Sequence, residues 1–231
     1  MEKTRWIIFL AVVVVLFGGL ITWSRLANPP VDTSDVDKSI VLSASEMSGN
    51  IGDQVRGNKN SSVVFVEYAD FQCPSCKSAH PQVNELVAEY GDRVAFVFRN
   101  YPLTSIHPNA QAAAGAAEAA GLQGKYWDMH EVIFDKQTEW SSLDASKRTD
   151  AFRSYAMQLG LDPEQFVTDL SSQEVKKKIA FDVLLATDQG VNATPTFLVN
   201  GKPVDDGAAA NFVNGDASAL FKTLDEQLAK E

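Results

Sequence analysis

"SVVFVEYADFQCPSCKSAH" (62–80) holds both cysteines of a 231-residue chain, three positions apart, directly after a run of β-branched and aromatic residues. Residues 62–69 lack polar alternation except at Glu67, which predicts a strand buried on both faces. A helix is predicted to follow at once. Pro74 suits its first position, and Val83, Leu86, Val87 and Tyr90 recur at helical spacing before Gly91 stops it. Pro81 predicts a kink inside it. "RVAFVFRNY" (93–101) reads as a second strand, so the stretch is β-α-β, a parallel pair with a right-handed crossover.

Both cysteines thus stand at a helix start. The unpaired N–H groups there carry partial positive charge, which favours a thiolate on Cys73 and makes it an attacking and leaving group at neutral pH. Cys76, one turn on and more shielded, closes on it as resolving partner or intramolecular disulfide. A closed zinc site needs about four ligands, and beyond the two cysteines only His80, His107 and His130 offer imidazole. Their spacing matches no ligand set, so packing or capping is the plain reading and no metal is expected. Two purely structural cysteines fit the placement poorly. Glu67, a carboxylate in an apolar strand, must carry a raised pKa or a cost in burial, and is expected to exchange a proton with Cys76. The alternative for it is a solvent-facing bulge or strand edge.

The acidic balance, 30 Asp plus Glu against 20 Lys plus Arg, leaves a net charge of −10 and gives no footprint for nucleic acid. An apolar content of 45% is ample for a core. Residues 1–5 are read as a cytoplasmic N-terminus and 6–24 as a transmembrane anchor, because "WIIFLAVVVVLFGGLITW" (6–23) carries no charge and is bracketed by Trp6 and Trp23. A cleaved signal peptide is the competing reading. Lys3 and Arg5 precede the run while Arg25 follows it, placing the remainder outside the cytoplasm. Residues 25–45 read as a linker, and the polar, Gly-rich stretch between 42 and 60 as an approach loop with one short helix or strand at most.

The pattern from 104 to 189 is helical. It opens with the small residues of "NAQAAAGAAEAAG", which permit close helix packing, and continues through "YWDMHEVIFDKQTEW" (126–140), 148–160, 162–170 and 173–190. "TPTFLVNGKPV" (194–204) reads as two strands turned at Asn200-Gly201, and "SALFKTLDEQLAKE" (218–231) as a final amphipathic helix.

"FQCPSC" and "ATPTFLVNG", with "AAEAAGLQGKYWDMHEVIF" between them, resemble the DsbA-like thiol–disulfide oxidoreductases of the thioredoxin superfamily, in their membrane-tethered BdbD-type form. The resemblance covers residues 46–231. It implies an α/β thioredoxin-like fold in two parts, 46–103 and 190–231, split by a helical insertion over 104–189. It also implies a cis-proline at Pro195 facing the disulfide, a Thr194 backbone that pairs with an extended substrate, and a buried acid at Glu67. Phe71 is expected to border an apolar substrate groove. Pro74 and Ser75 shape the site; Ser75 replaces the histidine of the best-known relative, leaving the potential between about −120 and about −270 mV.

The resulting expectation is an extracytoplasmic protein dithiol oxidase, monomeric and membrane-anchored. Its redox group is the Cys73–Cys76 disulfide, with no other cofactor. It passes disulfides to reduced exported proteins and is reoxidised by a quinone-linked membrane partner of the DsbB or VKOR type. A reductase or isomerase fed by a membrane electron donor uses the same residues in reverse. A non-catalytic peptide-binding or chaperone module would keep the cysteines as a static disulfide.

Overall fold

The computed structural model describes residues 2–27 and 31–230. They form two compact units, Met1–Asp35 and Val36–Glu231. The first contains helix α1 (Glu2–Ala27). Among the described residues no helix is long and apolar enough to cross a membrane, so the anchor expected over 6–24 is not established by the fold.

The second unit is built on a five-stranded sheet. Strands β1 (Gln54–Gly57), β2 (Val64–Ala69), β3 (Ala95–Asn100), β4 (Thr196–Val199) and β5 (Lys202–Pro203) lie in the order β1-β3-β2-β4-β5. Only β2 and β3 run parallel, joined by α2 (Pro74–Tyr90), which continues unbroken through Pro81. Every residue of β2 and β3 is buried, because helices cover both faces of the sheet centre. Phe65, Phe96 and Phe197 face Val83 and Leu86 of α2 and the C-terminal helices α9 (Asp206–Val213) and α10 (Ser218–Leu228). Val64, Val66, Val97 and Leu198 point the other way, onto Phe181 and Leu185 of α8 (Gln173–Asp188).

Between β3 and β4 lies the helical block α3 (Ala110–Leu122), α4 (Tyr126–Asp135), α5 (Gln137–Trp140), α6 (Ala145–Gln158), α7 (Pro163–Asp169) and α8. Its core gathers Phe71, Trp140, Phe152 and Phe166 around the alanine face of α3. Small residues there do permit close approach: a Cβ on Gly115 would come within 2.8 Å of the Leu170 carbonyl oxygen.

Two expectations are corrected, and one helix is added. The linker read over 25–45 ends earlier, since Val36, Val41 and Leu42 pack on the sheet. The buried Arg99 guanidinium also donates to the carbonyls of Lys38 and Ile40, both at 3.1 Å, and pairs with Asp53 at 2.8 Å. The single helix read over 126–140 is two, α4 and α5, parted at Lys136. Helix α9 went unread because only Phe212 of its eight residues is buried, too little to mark a periodicity.

Candidate dithiol active site

The turn after β2 delivers Cys73 to the N-cap of α2 with extended backbone, φ −70° and ψ 125°. Asp70, almost wholly buried, builds that turn. Its Oδ1 accepts the Gln72 N–H at 2.7 Å, its Oδ2 accepts the Leu103 N–H at 2.9 Å and lies 2.7 Å from His107 Nδ1, and its carbonyl accepts the Cys73 N–H at 3.0 Å. From the helical block, the buried Gln137 amide donates to the carbonyls of Phe71 at 2.8 Å and Cys73 at 3.0 Å. The turn is thus held from below by a carboxylate and from the side by an amide, which leaves the sulfur positions little freedom.

Both cysteines are free thiols, and they differ sharply. The Cys73 thiol is brought down to about 5, first by the hydrogen bond from the Cys76 thiol, then by Thr194 and by the backbone N–H groups of Cys76 and Ser75. Cys73 Sγ meets the Thr194 carbonyl oxygen at 3.5 Å, and the Thr194 hydroxyl oxygen is buried without a partner. Cys76 is fully buried, and burial, followed by its role as donor to Cys73, pushes its thiol well above the ordinary 9.0. One sulfur is prepared to be attacked and to leave, and the other is a poor anion.

Glu67 sits on the α2 side of the sheet, opposite Phe98 on β3 and Phe197 on β4. No cation faces it in the ladder, and its Oε1 is buried without a hydrogen-bond partner. Burial first, then the Cys73 charge, raises its carboxyl to about 8. The alternative of a solvent-facing bulge is excluded, since Glu67 is 4% exposed in a continuous strand. A cavity of about 10 Å³, lined by Glu67, Asn84 and His130 among others, lies beside it. That is room for about one water, enough to carry a proton.

The Thr194–Pro195 bond is cis, and the pair stands just before β4, against Cys73. Pro74 and Ser75 are exposed, and Ser75 contributes its backbone N–H to the Cys73 sulfur. Phe71 is corrected: it is 1% exposed, stacks on Phe98 at 4.8 Å and packs at a tilt on Phe134 at 4.9 Å, so it is core and lines no groove. An aromatic side chain two residues before Cys73 has the sheet's last turn above it and the helical block beside it, which leaves no path to solvent. Of the histidines, His107 holds Asp70, His80 holds Glu131 at 2.8 Å, and His130 is buried without a polar partner.

Asp70, Gln72 and Gln137 were not read from the sequence, whereas His107 takes a packing role of the kind expected of it, against Asp70. For Asp70 a local signal exists, a short acid directly after a strand whose carboxylate caps the N–H two residues on. For Gln137, 66 positions from Phe71, none does.

The family profile described as thioredoxin matches residues 49–213. Among solved structures, a thioredoxin-like oxidoreductase from Silicibacter pomeroyi is 29% identical, covering 73% of this chain and 95% of that one with a TM-score of 0.57. BdbD from Bacillus subtilis, at 23% identity and TM-score 0.65, covers 82% of this chain and 98% of its own, and shares the fold. Among curated relatives, proteins named Na(+)/H(+) antiporter NhaA from Salinispora tropica and Mycolicibacterium vanbaalenii are 43% identical over 150 residues and 42% identical over 153. The matched region spans 65% and 64% of this chain but only 22% and 23% of those relatives' length. The chain belongs to the thioredoxin family, in the DsbA-like form of its fold that carries a helical insertion.

Proposed function

We propose that this DsbA-like thiol–disulfide oxidoreductase is a protein dithiol oxidase working outside the cytoplasm. The observation that carries the reading is the inequality of the two sulfurs, about 5 for Cys73 against well above 9.0 for Cys76. A stabilised Cys73 thiolate favours the reduced form, so the oxidised form gives its disulfide away readily.

In the reaction, a substrate thiolate attacks Cys73 Sγ. The Cys73–Cys76 bond breaks, and Cys76 leaves with the electron pair and takes the proton held by Glu67. A second substrate thiolate then attacks the substrate sulfur of the mixed disulfide, and Cys73 leaves as a thiolate. Two electrons pass to the protein and one disulfide forms in the substrate. The Thr194 backbone beside Cys73 offers the edge along which an extended reduced peptide pairs.

Reduced exported proteins are the substrates under this reading, and a quinone-linked membrane partner of the DsbB or VKOR type restores the disulfide. The uncharged run over 6–23 supports a membrane tether with the catalytic unit outside. Relatives named as antiporters, in which the similar region is a minor part, support a membrane setting too.

The test is the reduction potential of the Cys73–Cys76 pair, by equilibration against glutathione buffers. A value above about −200 mV is expected, whereas one near about −270 mV would make the protein a reductant awaiting an electron donor.

A further inference from the structure

His80 lies on α2, one turn beyond Cys76, and His130 and Glu131 are neighbours on α4. Their separation along the chain matches no ligand motif; only the packing of α4 on α2 brings them together. One ligand atom from each lies within 4.8 Å of the others. We propose that His80, His130 and Glu131 form a binding site for a divalent transition-metal ion of the zinc class, which staples the helical block to the active-site helix.

The strongest observation is His130. It is 2% exposed, and neither ring nitrogen has a hydrogen-bond partner. A neutral imidazole carries one donor and one lone pair, and burying both unmet is rare in a folded protein. The surrounding rings of Phe98, Trp127 and Phe71, with centroids at 4.8, 5.0 and 5.3 Å, enclose it without offering a polar atom. An ion would use the lone pair.

Glu131 is already oriented as a ligand. Arg56 takes its Oε1, while Oε2 accepts from Asn84 at 3.1 Å and faces His80 Nε2 at 2.8 Å. Such outer partners fix a ligating carboxylate without occupying all its lone pairs. Ligands at about 2.0–2.1 Å from a tetrahedral zinc stand about 3.3 Å apart. The His80–Glu131 contact therefore opens by about half an ångström, and the widest separation closes by at most about 1.5 Å. Both changes lie within side-chain rotation. Coordination through His80 Nε2 displaces any proton on that nitrogen to Nδ1 or to solvent. Three protein ligands leave one position of a tetrahedral ion for water.

The test uses the tag-free full chain in detergent micelles with Cys73 and Cys76 oxidised to the disulfide, so that neither sulfur can ligate. Zinc chloride is titrated calorimetrically, and cobalt(II) reports coordination by its visible absorption. One ion per chain is expected, with a melting temperature that rises with zinc concentration. Glu131→Gln and His80→Asn should each weaken binding at least about 10-fold, since loss of an outer-shell partner alone costs that much. Glu131 is partly solvent-exposed, so its variant folds even where a substitution of the caged His130 does not. Absence of saturable binding to the oxidised wild type at millimolar zinc overturns the proposal, as does binding that neither variant weakens. No redox activity is needed for either readout, so the site stands or falls apart from the dithiol function.

Discussion

The inequality of the two sulfurs predicts a break in the pH dependence of the reduction potential. Reducing the disulfide adds two electrons and as many protons as the reduced pair retains. With Cys73 at about 5 and Cys76 well above 9.0, the reduced pair takes up two protons in acid and one at neutral pH. The potential should therefore fall by about 59 mV per pH unit below pH 5 and by about 30 mV per unit from there to about pH 7, at 29.6 mV for each tenfold change in a two-electron equilibrium. Lowering Cys73 from 9.0 to about 5 also favours the reduced form about 100-fold at pH 7, which raises the potential by about 59 mV over that of an ordinary thiol pair. Because the Cys73 sulfur borders solvent, screening can only trim that figure. The assay is equilibration of the full chain with thiol–disulfide buffers between about pH 4 and about pH 8, approached from both redox states, with the reduced fraction read by thiol alkylation and mass. An unbroken slope of about 59 mV per unit across the range would refute the reasoning, because Cys73 would then titrate as an ordinary thiol.

Glu67→Gln should leave the break near pH 5 but flatten the slope between about pH 7 and 8, because the Cys73 thiolate formed on reduction raises the Glu67 carboxyl and draws in extra proton; an identical slope in wild type and variant would uncouple the two groups. The same variant alters stability. The folded-state carboxyl is raised from 4.5 to about 8, so the cost of burying it is absent below 4.5, grows with pH and is complete above 8. Urea unfolding of the reduced proteins should show Glu67→Gln gaining up to about 3 kcal/mol relative to wild type between pH 4 and pH 7. Cys73→Ser and Cys76→Ser should each abolish disulfide transfer, because either change removes the intramolecular disulfide that a substrate thiolate attacks; reduced substrate should stay reduced, read by thiol alkylation and mass. Arg99→Met should cost about 3–5 kcal/mol in urea unfolding by leaving Asp53 buried beside one cation fewer, and should expose residues 36–45 to protease because two of their carbonyls lose the guanidinium.

The strand, the cysteine turn and the helix after it were legible because their signals are local: burial by composition, Pro74 at a helix start, Gly91 at its end. The hairpin was legible for the same reason, since Asn200 and Gly201 at φ 48° and 71° are what such a turn asks of these two residue types. What escaped is set by long-range pairing. "VKKKIA" (175–180) contains three lysines of which only Lys178 is buried, clasped by Asp182 at 2.7 Å and Asp53 at 3.2 Å. The helical period of Val175, Ile179 and Leu185 puts Lys178 on the inward face, but nothing local says that a lysine there stays charged, because the acid Asp53 that receives it comes from another element. Phe71 escaped in the opposite sense. Its position near Cys73 suggested a groove, but the helical block closes over it, and proximity in sequence to a reactive residue carries no information about exposure.

The lack of a cation opposite Glu67 gives the site its proton economy. With Phe98 and Phe197 as its cross-strand neighbours, Glu67 has nothing to hold its charge, and it keeps its proton at neutral pH. A lysine in either position would ionise it and leave Cys76 with no donor. When the Cys73–Cys76 bond breaks, Cys76 departs as a buried anion and takes that proton, so the negative charge passes to Glu67 rather than adding to it. When Cys73 is later released as a thiolate, it is a second anion, but one at the helix N-terminus, hydrogen-bonded by Cys76 and Ser75. That second charge then makes Glu67 take a proton back, which resets the acid before the disulfide is restored. The two groups therefore share about one negative charge at neutral pH, and the step that leaves it on Cys73 is the step that completes transfer to the substrate.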